Sequence, residues 1–178
     1  MGGIQSISTR QPQQDDLFHE ATTTLGPALS RLVSAYEADP DRRHDLSQEI
    51  HFQLWRSLAH FDGRCSLRTW TYRVAHNVAT SHLIRERRSR APLVNLDDLS
   101  LPHTAPHQTH QWQLNQLQTL IQKLRPIDRQ IIVSYLEELD AATIGEITGL
   151  SAPAVAMRIH RIKRILAKQF QQGETQSD

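Results

Sequence analysis

The sequence predicts an all-α fold made of two small helical domains joined by a flexible linker. Three observations carry this expectation. Apolar residues recur at spacings of three and four over most of the 178 residues, while the strict apolar/polar alternation of strands is scarce. Only 7 Gly and 8 Pro are present. The segment from Pro92 to about Gln108 holds Pro92, Pro102, Pro106 and the pair Asp97-Asp98, has no sustained period, and reads as an interdomain linker.

Residues 1–14 are polar and Gln-rich without an apolar face, as expected of a flexible arm, and a helix is expected from near Asp15. Leu17, Ala21, Leu25, Ala28, Leu29, Leu32, Val33 and Tyr36 fit one helical stripe, interrupted or kinked at Gly26-Pro27. Asp39-Pro40-Asp41 is a stop followed by an N-terminal cap signal. Leu46, Ile50, Leu54 and Leu58 then recur at a spacing of four, with Phe52, Trp55 and Ala59 widening the face. Phe61 to Ser66 is a loop with a Gly turn, and Ser66 caps a long helix from Leu67 to about Arg90, with Trp70, Val74, Val78 and Leu83 inward. These elements make a first domain over 15–91, followed by a linker over 92–111. The second domain spans 112–172, with 173–178 as a tail. It opens with two helices, separated by Arg125-Pro126, that carry Leu114, Leu117, Leu120, Ile121 and Leu124, then Ile127, Ile131, Ile132, Tyr135, Leu136 and Leu139.

The last two helices have the spacing of a helix-turn-helix. Ile144 and Ile147 lie on a short helix that meets Gly149, a residue free to take the positive φ of a tight turn. Leu150 plugs the angle, Ser151 caps the next helix, and Pro153 sits in its first turn. That helix buries Val155, Ile159 and Ile162 and presents its N-terminal side chains to a major groove. Two antiparallel core helices with a Gly corner are the alternative reading of this segment alone.

Charge separates along the chain although the total is only +1. Residues 152–172 hold five basic residues (Arg158, Arg161, Lys163, Arg164 and Lys168) and no acid, the footprint of a phosphate-binding helix. Residues 64–90 hold seven Arg against the single Glu86, with Trp70, Tyr72, His76, Asn77 and His82 interleaved, a combination suited to unpaired bases as well as backbone. The bland reading of Arg85 to Arg90 is a helix C-terminus complementing its dipole.

No P-loop, dinucleotide turn, HExxH or Gly-x-Ser-x-Gly elbow is present, so no catalytic residue is expected. His103, His107 and His110 lie in or beside the Pro-rich linker without a partner thiol, so no metal and no cofactor is expected. The single Cys65 fits a reducing compartment and a small apolar filler. With no membrane-length apolar run and no signal-peptide core, a cytoplasmic protein without membrane insertion is expected.

Two blocks together resemble a bacterial RNA polymerase sigma factor of the extracytoplasmic-function group. The first is Asp45-Leu-Ser-Gln-Glu-Ile-His-Phe-Gln-Leu-Trp55, then Phe61 to Ala79 and the Arg-rich end; the second is the helix-turn-helix ending Arg158-Ile-His-Arg161. The resemblance covers roughly residues 17–90 and 112–168. It implies sigma domain 2 over 15–91 and sigma domain 4 over 112–172, with core RNA polymerase and promoter DNA as partners. It assigns polymerase docking to Asp45, Gln48, Glu49, Leu54 and Trp55, and the three-and-four spacing adds Phe52 to their face. It assigns recognition and melting of the minus-ten element to Phe61, Asp62, Arg64, Arg68, Arg73, His76, Asn77, Arg85, Arg87 and Arg88, with a non-template base flipped into a protein pocket. It assigns the minus-thirty-five duplex to Ser151, Ala152, Ala154, Val155, Arg158, Arg161 and Arg164.

The chain departs from that family in two places. The recognition helix opens on Ala152, Pro153, Ala154, Ala156 and Met157, so specificity is expected from Arg158, Arg161 and Ser151, with thymine-methyl contact and DNA shape supplying some of the rest. Arg42-Arg43-His44 stands where acids are frequent in the family, which would weaken docking; negative charge near Ser47, from a modifying kinase or an acidic partner, would restore it. No separate sensor domain is legible, so control is expected from an anti-sigma factor, modification or expression level. A stand-alone helix-turn-helix regulator binding duplex DNA as a dimer is the alternative, and a histidine-based metal hydrolase a third reading.

Overall fold

The computed structural model describes residues 10–86 and 110–174, which form seven α-helices and no strand among the described residues. They divide into two compact units, Met1–Arg85 and Glu86–Asp178. The expected linker and the pair Asp97-Asp98 lie outside the described residues.

The first unit holds α1 (Arg10–Tyr36), α2 (Pro40–Leu58) and α3 (Leu67–Glu86). Helix α1 starts ahead of Asp15, so residues 10–14 are helix and not arm. Gln14 explains the difference: it is buried and its Nε2 donates to the Trp55 carbonyl at 2.6 Å, while Asp15 Oδ1 accepts from the Trp55 indole Nε1 at 2.8 Å. Polar bonds to α2 order this turn, and they leave no apolar period to read. Nor is α1 interrupted at Gly26-Pro27. Pro27 sits inside a continuous helix, on an exposed face where solvent can take the carbonyl that proline leaves unpaired.

Asp39 ends the α1–α2 corner as expected, its Oδ1 accepting from the backbone N–H groups of Asp41 and Arg42 at 2.9 and 3.2 Å, with Pro40 in the first turn. Leu46, Ile50, Leu54 and Leu58 of α2 are all buried against α1, whose Leu29, Leu32 and Tyr36 are nearly fully enclosed. Ser66 caps α3 through the Thr69 N–H at 3.0 Å. The inward face of α3 is Tyr72, Ala75, His76, Ala79 and Leu83, not the Trp70-Val74-Val78 row expected from apolarity alone. Trp70 and Val74 are half-buried and pack from the side on Ala21, Leu54 and Leu58. A buried carboxylate ties the three helices together: Glu37 at the end of α1 accepts from the Asp39 N–H and from His82 Nε2 of α3, both at 2.9 Å.

The second unit holds α4 (His110–Lys123), α5 (Pro126–Leu136), α6 (Ala141–Thr148) and α7 (Ala152–Glu174). Leu120, Leu124, Ile131, Ile132, Ile144, Val155 and Ile162 are its enclosed apolar side chains. Helix α5 is buried around most of its circumference, Asp128, Arg129, Gln130 and Ser134 included. Arg129 serves the end of α4, its guanidinium donating to the carbonyls of Leu124, at 3.1 Å, and Gln122. Helix α5 closes with Glu138 at φ 60, where the Glu138 N–H bonds the Tyr135 carbonyl (3.0 Å) and the Leu139 N–H bonds the Ser134 carbonyl (3.2 Å). This is the left-handed stop usually given to glycine.

Candidate polymerase-docking and nucleic-acid surfaces

On α2, Asp45, Gln48 and Phe52 are exposed and Glu49 is half-buried, so these four share an outward strip beside the buried stripe. Phe52, at 56% exposed, is a large apolar side chain facing solvent, with the Arg56 guanidinium over its ring. Leu54 is corrected: at 1% exposed it belongs to the core and supports the strip from beneath. Trp55 is half-buried and held by Asp15. The departure at Arg42-Arg43-His44 has a partial structural use, since Arg43 Nε donates to the Glu37 carbonyl at 2.7 Å and His44 pairs with Gln48 at 2.8 Å. Ser47 is half-buried, and its carbonyl is bonded by His51.

The loop after α2 turns at Gly63, φ 74, a backbone conformation that suits glycine. Asp62 and Arg64 pair at 3.0 Å and both remain exposed. Phe61 is half-buried, its ring edge-on to Trp70 with centroids 5.4 Å apart, and the Trp70 indole donates to Ser57 Oγ at 2.9 Å. Beside this loop opens a cavity of about 320 Å³ lined by Gln13, Gln14, Leu17, His60, Phe61 and Asp62 among others.

Along α3, Arg73 and Asn77 share a strip with Thr80 and Ile84; Asn77 and Ile84 are exposed and Arg73 is half-buried. Arg68 lies over the Tyr72 ring at 5.9 Å, and Arg85 is exposed. Two expectations fail here. His76 is fully buried and bonded to Tyr36 at 3.0 Å, and burial lowers its pKa to about 3, so it is a neutral core group and not a DNA contact. Tyr72, at 1% exposed, offers no stacking surface to a base. The burial of His76 has no apolar signature in sequence, whereas Tyr72 falls in line with Ala75, Ala79 and Leu83. Arg87 and Arg88 lie outside the described residues.

The helix-turn-helix forms as the spacing predicts. Asp140 caps α6 by accepting from the Thr143 N–H at 2.7 Å, and this backbone bond holds its carboxyl below the usual range. Gly149 takes φ 77 and donates to the Gly145 carbonyl at 2.8 Å. Gly145 is a second required glycine that sequence reading missed: a Cβ there would stand 2.7 Å from the Leu150 carbonyl oxygen. Ser151 Oγ faces the Ala154 N–H at 3.4 Å. Val155 is corrected, since it is fully buried as the core anchor of α7; Ala152 and Ala154 are half-buried. Arg158 Nη1 bonds Asp128 Oδ1 of α5 at 2.7 Å, so this side chain reaches back onto its own unit. Arg161 and Arg164 are exposed.

Among the described residues no group of three or more His, Cys, Asp or Glu could hold a metal; His103 and His107 lie outside them. No described helix is long and apolar enough to cross a membrane.

Comparison with known proteins agrees with this division. The Sigma-70 region 2 family matches residues 22–89, and the Sigma-70, region 4 family matches residues 114–166. The ECF RNA polymerase sigma factor SigW of Bacillus subtilis is 29% identical over 173 residues, covering 87% of this chain and 89% of that protein. The ECF RNA polymerase sigma-E factor of Escherichia coli is 30% identical over 130 residues, 72% of this chain and 67% of its relative. A solved structure of CnrH in complex with the cytosolic domain of CnrY has the same fold, with a TM-score of 0.64 at 19% identity over 92% of this chain and 96% of that one. Two helical units in this order, each matched by its own family, make the chain a member of the extracytoplasmic-function group of bacterial sigma factors, acting in transcription initiation.

Proposed function

We propose that the chain docks on core RNA polymerase through α2 and reads a promoter with two separate surfaces, having no catalytic chemistry of its own. The observation that carries this reading is the exposed strip Asp45-Gln48-Glu49-Phe52. A half-exposed Phe ring bordered by acid and amide groups suits a protein partner better than solvent. The domain limits proposed for these roles are 15–91 for polymerase and the minus-ten element and 112–172 for the minus-thirty-five element.

Asn77 and Arg73 contact the opened minus-ten strand, with Arg64, Arg68 and Arg85 on its phosphates. The cavity beside Phe61 and Asp62 is of a size for one flipped base, whose unstacking costs a few kcal/mol, offset by such contacts. Ser151, Arg161 and Arg164 meet the minus-thirty-five duplex. Control comes from outside the chain, by an anti-sigma protein or by modification. The relative of known structure is bound to a cytosolic domain of another protein, which supports the first. Equal binding of Ser47→Ala and Ser47→Glu chains to polymerase would remove the second.

Mixing the full chain with core polymerase tests the whole reading: co-migration and promoter-dependent transcription are expected. A chain that shifts duplex DNA alone as a dimer and ignores polymerase would replace it with the stand-alone regulator.

A further inference from the structure

Met157 is 75% exposed, the most solvent-facing of the large apolar side chains among the described residues. Its position on α7 is specific. At about 100° per residue, the buried Val155, Ile162 and Leu166, with the half-buried Ile159, define one side of the helix, and Met157 falls on the opposite side. Arg161, Arg164 and Lys168 follow on that same outward side and are exposed. The apolar tip therefore sits at the N-terminal end of a basic face, the end that enters the major groove in a helix-turn-helix.

The polar alternatives for reading bases near it are few. Ala152, Pro153, Ala154 and Ala156 carry no side-chain hydrogen-bonding group. Arg158 is drawn toward α5 by Asp128 at 2.7 Å. In the major groove, thymine alone presents a methyl group, on C5, and an unbranched thioether can conform to it. Resting on the assignment of α6 and α7 to the minus-thirty-five duplex, we propose that Met157 selects thymine by packing on this methyl group, which makes it a specificity-determining residue of the chain. Arg161, Arg164 and Lys168 then supply the sequence-independent hold on phosphates.

The test uses the full chain assembled with core polymerase and a promoter that this holoenzyme selects from a pool randomised in the minus-thirty-five region. Each thymine of the selected element is replaced singly by deoxyuridine, which deletes only the methyl group. At one or two positions the wild-type holoenzyme is expected to lose roughly fourfold in competition binding, the worth of one buried methyl group. Met157→Ala should bind thymine and deoxyuridine templates equally there, and Met157→Leu should keep part of the preference. Because the side chain is exposed, both variants should unfold at the wild-type midpoint. A selected element without thymine, or a Met157→Ala holoenzyme with undiminished preference for thymine, overturns the proposal. If scrambling the whole minus-thirty-five region leaves wild-type binding unchanged, the assignment of α6 and α7 falls as well; the two failures are thus told apart.

Discussion

Tyr36 Oη and His76 Nδ1 lie 3.0 Å apart and join α1 to α3 where neither side chain meets solvent. Burial lowers the His76 pKa from 6.5 to about 3, so the folded chain keeps this ring neutral while the unfolded chain takes up a proton near pH 6.5. The unfolded state binds more protons in that window. The resulting stability is full above pH 6.5 and is lost as pH falls toward 3, with a slope of up to about 1.4 kcal/mol per pH unit. Urea titrations at several pH values should show a steeper acid decline for the wild type than for His76→Gln; parallel curves would refute this.

Phe52, on the proposed docking strip, and Leu54, in the core, lie within one turn of α2, so their variants should separate docking from folding. Leu54→Ala should cost about 2–5 kcal/mol of stability, because it empties a site in the core. Phe52→Ala should change stability by no more than about 0.5 kcal/mol and instead weaken competition for core polymerase. Denaturation midpoints and polymerase competition, measured on both variants, check the pair.

Arg158 and Asp128 are joined across α7 and α5, and the carboxylate is the more buried partner, at 10% against 44% for the arginine side chain. Removing the arginine leaves a nearly enclosed charge, so Arg158→Ala should destabilise by about 1–2 kcal/mol, a figure reduced from that of a fully buried pair by the arginine's exposure. The double variant Arg158→Ala with Asp128→Ala should recover part of the loss. A double-mutant cycle with no coupling would show that the pair contributes nothing.

Glu138 at φ 60 occupies a position that glycine adopts without strain. Glu138→Gly should raise stability by up to about 1 kcal/mol, since the gain in native conformation opposes the extra freedom of the unfolded chain. A lowered midpoint in thermal unfolding would contradict it.

Gly145→Ala should be worse than Gly149→Ala. The first drives a methyl group to 2.7 Å from a backbone oxygen, which has no flexible side chain to yield, and should cost about 1–3 kcal/mol. The second meets no atom within 4 Å and bears only the left-handed strain of φ 77, about 1 kcal/mol. Chemical denaturation of the two variants decides their order.

Much of this architecture was legible because apolar periodicity and cap chemistry agree. The Leu46 to Leu58 row, the Asp39 and Ser66 caps and the Gly149 turn all form as their spacing implies. Sequence reading failed where burial is polar. Gln14, His76 and Arg129 are enclosed through hydrogen bonds to partners 41, 40 and 5–7 residues away, and no local pattern announces such partners. Among the site residues only His76 divides by that cause: Asp45, Gln48 and Asn77 are placed from helical spacing, and the same spacing already puts Leu54 and Val155 on buried stripes, against the surface roles that the resemblance gives them.

Gly145 lies so close to the Leu150 carbonyl that even a Cβ would stand 2.7 Å from its oxygen, so the corner closes backbone against backbone with no side chain as spacer. Exchanging the outward residues of α7 therefore leaves this corner untouched. On the proposed assignment of α7 to the minus-thirty-five duplex, promoter preference is a replaceable part: Met157 and its outward neighbours can be rewritten as a new key while the corner keeps the same alignment. On the same proposed assignment, retargeting the chain to another promoter is a problem of a few exposed side chains on one helix, with the carrier beneath them left as it stands.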